Sequence, residues 1–366
     1  MAETKIIVLD DDPTGSQTVH SCLLLTRWDA DTLRGALQDD SPLFFVLTNT
    51  RSMDAERAAT VTRDVCRNLR AALDQLARAG RPIQPLLVSR SDSTLRGHYP
   101  VETDVIATEL GPFDAHFLVP AFFEGGRVTV DGVHYIETDG RRMRVDETEF
   151  SRDSVFGYST SYLPDYVAEK TRGRIPSSAV ERFLLDDIRG DVRDRLQSLS
   201  DNACCVVDCE RQSDLDGLTE QVLNAVATGK RFLFRSGASL LTSLAGLPPQ
   251  PVGAENLHSQ ARNDGPGAVI VGSHVRKTTA QVEALLAEPD VAPVQVDVDR
   301  IADDRQGLLA EVLADASAAH VAGLTPVIYT SRVERAFPDH AERLAFGDQV
   351  SGLLMDVVRG LPEETS

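Results

Sequence analysis

Short apolar runs alternate with helix-patterned segments along most of this chain, and the runs open directly into polar loops. Residues 6–9, 20–26, 43–48, 85–88 and 115–119 read as strands. Residues 29–37 read as a short helix. Residues 53–79, with Ala, Leu and Val at helical spacing, read as a long one capped by Ser52 and ended by Gly80. Strands separated by helices in this way build a mostly parallel sheet. The rhythm breaks at the Pro- and Gly-rich residues 246–253. It restarts with strands at 268–271, 294–298 and 326–330, and with helices from Thr278 and over 341–359. The expected fold is therefore α/β with two domains, each a mostly parallel sheet flanked by helices. Residues 1–245 form the first, 246–266 a linker and 267–366 the second. Residues 126–137 alternate apolar side chains on both sides of Asp131-Gly132, which predicts a β-hairpin extension of the first domain.

Three of the loops carry chemistry. The first strand releases Asp10, Asp11 and Asp12 and then turns at Pro13, Thr14 and Gly15. The third runs into Leu47-Thr-Asn-Thr-Arg-Ser52, and the fourth into Ser89-Arg-Ser-Asp-Ser-Thr-Leu-Arg-Gly97-His98. In a parallel sheet these loops share the C-terminal edge, where open α/β sheets place ligands. Aspartate accepts from hydroxyls, and arginine presents a fork that matches carboxylate or phosphate. In the second domain, Gly272-Ser273-His274 lies between a strand and a helix N-terminus, an arrangement suited to phosphate. It is not a Walker motif, and no Gly-x-Gly-x-x-Gly follows any strand, so a dinucleotide fold has no support.

A net charge of -19 argues against nucleic acid as a partner. No apolar run is long enough for a membrane span and no signal-peptide pattern opens the chain, so a cytoplasmic protein is expected. Cys22, Cys66, Cys204, Cys205 and Cys209 show no metal-binding spacing and read as free thiols. No resident metal site is expected.

Several motifs together resemble one family, the four-carbon acid sugar kinases. They are Asp11-Asp12-Pro13-Thr14-Gly15, Leu47-Thr-Asn-Thr-Arg51, Asp92-Ser-Thr-Leu-Arg96-Gly97-His98, Pro120-Ala-Phe-Phe-Glu-Gly-Gly-Arg127, Asp131-Gly-Val-His-Tyr135, Phe156-Gly-Tyr158, Gly272-Ser273 and Tyr329-Thr-Ser331. The resemblance implies ATP-dependent phosphorylation of threonate, erythronate or 3-oxo-tetronate. It implies a sugar-acid domain followed by a nucleotide domain, with ATP and Mg2+ as cofactors. On the matching positions, Asp11 and Asp12 meet substrate hydroxyls, Arg51 and Arg96 hold the carboxylate and Asp92 meets a further hydroxyl. Thr14, Gly15, Ser93, Thr94 and His98 complete the substrate shell, and Gly272, Ser273 and His274 face the nucleotide. No Gly-Gly-x-Thr-Ser segment, which family members carry further on, occurs here, so the nucleotide domain is expected to be incomplete.

Within this reading Asp12 is the base toward the primary hydroxyl, and Asp11 orients it or contacts the metal through water. Asp10-x-Asp12-x-Thr14 also fits a haloacid-dehalogenase-like phosphatase in which Asp10 attacks phosphate. That class needs a downstream lysine and paired acids, which the later strand ends lack. A third reading is a sugar-acid-binding protein without catalysis. The hairpin at Asp131-Gly132 suits a dimer arm, which makes a homodimer the partner expected beyond small molecules.

Overall fold

Every strand of the main sheet runs in the same direction in the computed structural model, which describes residues 3–138, 140–247, 252, 256 and 265–361. The chain divides into two compact units, Met1–Pro251 and Val252–Ser366. The expected linker at 246–266 lies mostly outside the described residues.

In the first unit the strands are β1 (Glu3–Asp10), β2 (Leu23–Leu25), β3 (Leu43–Leu47), β4 (Ile83–Arg90), β5 (Ala115–Val119), β6 (Arg127–Val130), β7 (Val133–Thr138), β8 (Arg141–Arg144), β9 (Glu181–Phe183), β10 (Ala203–Val207) and β11 (Phe232–Ser236). The main sheet has the order β2-β3-β1-β4-β11-β5-β10-β9. Chain direction across it reverses around β1: the chain visits β2 and β3 on one side and then crosses to β4 on the other. That reversal leaves a crevice at the C-terminal edge.

Alternation along β1 explains how both faces are buried. Ile6 and Val8 enter a core completed by Phe45, Phe117, Phe234 and the helices α5 (Leu185–Ile188), α6 (Arg193–Ser198), α7 (Gln212–Ala227) and α8 (Ser239–Ala245). Ile7 and Leu9 enter a second core under α1 (Ala30–Leu37), α2 (Ala55–Arg78) and α3 (Val101–Leu110). Helix α2 buries Ala58, Thr62, Val65, Cys66, Leu69, Ala72 and Leu76, a stripe at spacings of three and four. Its cap is Asp54, which accepts from the Arg57 amide, and not Ser52, which belongs to a short 3-10 turn at Thr50–Ser52.

The expected hairpin forms at Asp131 and Gly132, both at positive φ, and gains a third strand, giving the antiparallel order β6-β7-β8. The adjoining α4 (Leu163–Lys170) packs Tyr166 with Leu95, Tyr99 and Tyr158 in a third core.

The second unit holds β12 (Val269–Val271), β13 (Val291–Val296) and β14 (Thr325–Thr330) in the parallel order β12-β14-β13, with α9 (Arg276–Leu285), α10 (Ile301–Val321) and α11 (His340–Gly360). Val294, Val296, Ile301, Leu308, Val312, Ile328, Leu353 and Val357 form its core.

Candidate functional site

Four strands of the first unit end side by side, and each hands a charged group to the same edge. β1 supplies Asp10, Asp11 and Asp12; the turn after β3 supplies Arg51; β4 supplies Arg90 and leads into the loop of Asp92 and Arg96; β11 supplies Arg235.

Asp11 and Ser91 leave their strands on the same face, and Asp11 is 1% exposed. Arg51 donates to the Asp11 carboxylate from Nη2 at 2.5 Å and Nε at 3.3 Å, and the Ser91 hydroxyl donates at 2.9 Å. Arg51 also reaches Asp12 from Nη1 at 3.2 Å. Asp12 accepts from the Thr14 amide at 2.9 Å and from the Thr14 hydroxyl. Its side chain keeps 27% exposure against 2% for Asp11, so of these two acids it is the one a ligand reaches. Burial opposes its charge, but Arg51 and Thr14 outweigh burial and hold its carboxyl below the ordinary range.

Asp10 points to the opposite face and is fully buried. Neither carboxylate oxygen has a hydrogen-bond partner among the described residues. Burial pushes its pKa up to about 7 against the pull of Arg90, its register partner on β4. Gly15 closes over it: a Cβ there would lie 1.9 Å from Asp10 Oδ2. An acid sealed in this way cannot attack a phosphate, so the phosphatase reading fails on its own nucleophile.

The loop from Ser91 to Gly97 is bent into an unusual path. Leu95 has φ 67° and Gly97 φ 115°. Three buried rings hold three successive carbonyls of this loop. His134 Nε2 donates to Ser93 O at 2.7 Å, the Tyr158 hydroxyl to Thr94 O at 2.8 Å and the Tyr166 hydroxyl to Leu95 O at 2.8 Å. Burial lowers the His134 pKa to about 4, so the ring is neutral, with Nε2 carrying the proton and Nδ1 facing the Thr129 hydroxyl. Within the loop Asp92 accepts from Arg96 Nε at 2.6 Å and from the Thr94 hydroxyl. Burial raises the Asp92 pKa, but Arg96 and Arg51 overcome it and leave the carboxyl far below its usual range. Arg96 also faces Asp153 at 3.6 Å and the Phe150 ring at 4.9 Å.

Below the loop lies a buried pair. Arg235 Nη1 donates to Glu102 at 2.5 Å and to Ser89 at 2.7 Å, and Nη2 donates to Ser91 at 2.6 Å. Glu102 also accepts from the Thr50 hydroxyl at 2.5 Å. One ion pair thus ties α3, β11, the Arg51 turn and Ser91 together. A narrow cleft above it is lined by Ser91, Asp92, Arg96, Pro120, Arg235 and Ser236, with Tyr99 and Tyr166 behind.

Of the positions expected from sequence, Asp11, Asp12, Thr14, Gly15, Arg51, Asp92, Thr94 and Arg96 meet at this edge. Arg51 and Arg96, expected to hold a carboxylate, already hold acids of the chain itself. His98 Nε2 lies 2.9 Å from Met53 O and 3.1 Å from Thr50 O, so it braces the Arg51 turn. Ser93 is buried and offers its carbonyl to His134. Sequence reasoning passed over Glu102, Arg235 and Arg90. The only signal for Arg235 was a cation at the end of an apolar strand.

In the second unit, Gly272 and Ser273 follow β12, beside the end of β14. Thr330 donates to Gly272 O at 3.1 Å, and Arg332 braces Thr330 through its carbonyl at 2.9 Å and its hydroxyl at 3.0 Å. Ser273 is exposed before α9, and His274 Nε2 lies 3.8 Å from Glu334.

Comparison with known proteins gives this geometry a context. Residues 6–244 match the family described as a sugar-binding N-terminal domain, and residues 268–366 that described as a nucleotide-binding C-terminal domain. The chain is similar to a D-erythronate kinase from Heliobacterium modesticaldum (strain ATCC 51547 / Ice1), at 25% identity over 312 residues. The match covers 82% of this chain and 64% of the kinase, so the chain spans less than two-thirds of that relative's length. A solved structure from Salmonella typhimurium LT2, described as a tRNA synthase, shares the fold at a TM-score of 0.59 and 18% identity, over 98% of this chain and 81% of that one. A Bordetella bronchiseptica domain of unknown function, a domain-swapped dimer with bound citrate, aligns over 98% of this chain and 80% of its own at 22% identity. Its TM-score of 0.48 is too low to inform the geometry.

Proposed function

Because the chain belongs to the four-carbon acid sugar kinase family, we propose that it transfers a phosphoryl group from ATP to the terminal hydroxyl of a four-carbon sugar acid of the threonate, erythronate or 3-oxo-tetronate type. The observation that carries the reading is the locked acid Asp12, reachable from solvent at the edge of a parallel sheet. Phosphoryl transfer passes through a loose transition state, so the acceptor hydroxyl needs orientation more than a strong base. Asp12 serves that need. Arg51 and Thr14 fix its carboxylate and keep it ionised, so it accepts the hydroxyl proton's hydrogen bond at neutral pH. Asp11 holds Arg51 in place, and Asp92 accepts from a second hydroxyl while Arg96 keeps it charged.

Gly272, Ser273 and His274, ahead of α9, are assigned to the nucleotide phosphates on the strength of the exposed loop and helix start. Magnesium draws most of its ligands from phosphates and water. The metal is therefore taken to arrive with ATP. No helix among the described residues is long and apolar enough to cross a membrane.

The test is Asp12→Asn. Phosphorylation of the sugar acid falls by at least about a hundredfold, as for other groups positioned on a reacting hydroxyl, with the unfolding midpoint unchanged. Turnover within a factor of two of the parent would remove Asp12 from the mechanism.

A further inference from the structure

A sugar acid brings a carboxylate, and a buried carboxylate needs a cation that is not already neutralised. Among the edge guanidinium groups Arg51 is committed to Asp11 and Asp12, Arg96 to Asp92, and Arg235 to Glu102. Arg90 is 4% exposed and faces buried Asp10. Its Nε, like that of Arg127, is buried without a hydrogen-bond partner, but Arg127, unlike Arg90, keeps contact with solvent. Among the described residues it forms no ion pair, and its Nε is buried with no hydrogen-bond partner. The charges that act on it are Asp92 and Arg96 of the substrate loop, and the hairpin that carries it touches that loop where His134 Nε2 donates to Ser93 O at 2.7 Å.

The pose of Arg127 is built. It opens β6, and its backbone pairs with Phe122, two residues after Pro120 of the cleft, in both directions, N to O at 2.8 Å and O to N at 3.1 Å. Its Nη1 donates to Gly125 O, and the guanidinium lies 5.9 Å from the Phe122 ring centre. A Cβ at Gly125 would stand 2.3 Å from that Nη1 and 2.6 Å from the Phe122 ring, so a side chain at 125 would push the guanidinium or the ring from this pose. This arrangement spends one edge of the guanidinium on its own turn and leaves Nε without a partner in a half-buried site.

We propose that Arg127, carried by the β-hairpin extension, is the residue that receives the carboxylate of the sugar acid, and that it sets the preference for acids over neutral polyols. The proposal rests on the kinase reading and deepens it. The hairpin then has a binding role: it carries the cation that Arg51 and Arg96 cannot spare.

Calorimetry on the full chain tests this with erythronate and threonate, and with the tetritols erythritol and threitol, which replace the carboxylate by a neutral alcohol. The variants are Arg127→Gln and Arg127→Lys. The expected result is a loss of about tenfold to a hundredfold in acid affinity for Arg127→Gln, the range of one charge-assisted pair. Arg127→Lys keeps part of that affinity because it keeps the charge. Tetritol affinity stays within twofold of the parent in both. If the parent binds an acid and Arg127→Gln binds it equally well, the proposal falls and the kinase reading stands. An equal loss for acid and tetritol also overturns it, since Arg127 would then be shaping the loop. If the parent binds none of the acids, the kinase reading and the proposal fall together. Arg127→Lys guards against a folding artefact: an unchanged unfolding midpoint with acid affinity as low as in Arg127→Gln would assign the site to guanidinium geometry, which still supports the proposal.

Discussion

The buried pair under the site yields a quantitative prediction. Glu102 and Arg235 have side-chain exposures of 5% and 3%, and Arg235 makes three bonds at 2.5–2.7 Å. Glu102→Gln keeps an oxygen for Thr50 but removes the charge opposite Arg235. A buried cation left without its acid costs about 3–5 kcal/mol. That is a large part of a typical total of about 5–15 kcal/mol. At about 2–4 °C per kcal/mol for a unit of this size, the midpoint falls by roughly 6–20 °C. The single tryptophan, Trp28, packs against the core of the first unit, so its fluorescence during urea unfolding reports that unit alone. Replacing both partners by methionine recovers part of the loss, because no lone charge remains. A loss below about 1 kcal/mol for Glu102→Gln would mean that the pair is hydrated, and would refute the argument that it anchors the Arg51 turn and Ser91.

Other consequences follow from the same geometry. Asp10 has a pKa raised from 3.8 to about 7, so the folded state holds its proton more tightly than the unfolded chain, and stability is lost as pH rises from about 4 to 7. Asp10→Asn removes this dependence, and its advantage over the parent in urea grows by about 2–3 kcal/mol between pH 5 and pH 8; no growth would show that Asp10 is hydrated. Tyr158→Phe leaves Thr94 O without its donor, costs about 1–3 kcal/mol and raises the KM for the acid more than it lowers kcat. An unchanged KM would separate this brace from the site. Gly97→Ala forces a side chain onto φ 115° and to within 2.5 Å of Ser91 Oγ and 2.9 Å of Asp11 Oδ2, so acid binding is lost in calorimetry. Parent-like binding would show that the loop relaxes freely.

Much of the fold was legible because strands buried on both faces are written as continuous apolar runs, as in residues 6–9 and 43–47. The hairpin was legible because only certain residues accept the positive φ found at Asp131 and Gly132. Helix α10 was not, since half of its apolar residues are alanines and the apolar residues are spread around the axis, with Gly307 inside and a non-helical Asp304. At the site, the residue types were readable and their partners were not. Asp11 next to Arg51, and Asp92 next to Arg96, looked like open ligand groups; in three dimensions each arginine is answered by an acid of the chain. Alternation along β1 turned Asp10 to the opposite face from Asp11, a one-residue distinction with opposite effects on burial and charge. Glu102 escaped notice because a buried acid on a helix is indistinguishable in sequence from a solvated one.

Everything proposed for the site turns on transfer of a phosphoryl group from ATP to a four-carbon sugar acid. Its most direct test mixes the purified chain with ATP, magnesium and each of the threonate, erythronate and 3-oxo-tetronate stereoisomers in turn, and measures ADP and phosphorylated acid together. Equal amounts of both products are expected with at least one acid, and both fall by at least about a hundredfold in Asp12→Asn. Absence of phosphorylated acid across the whole panel, with the chain folded, would contradict it.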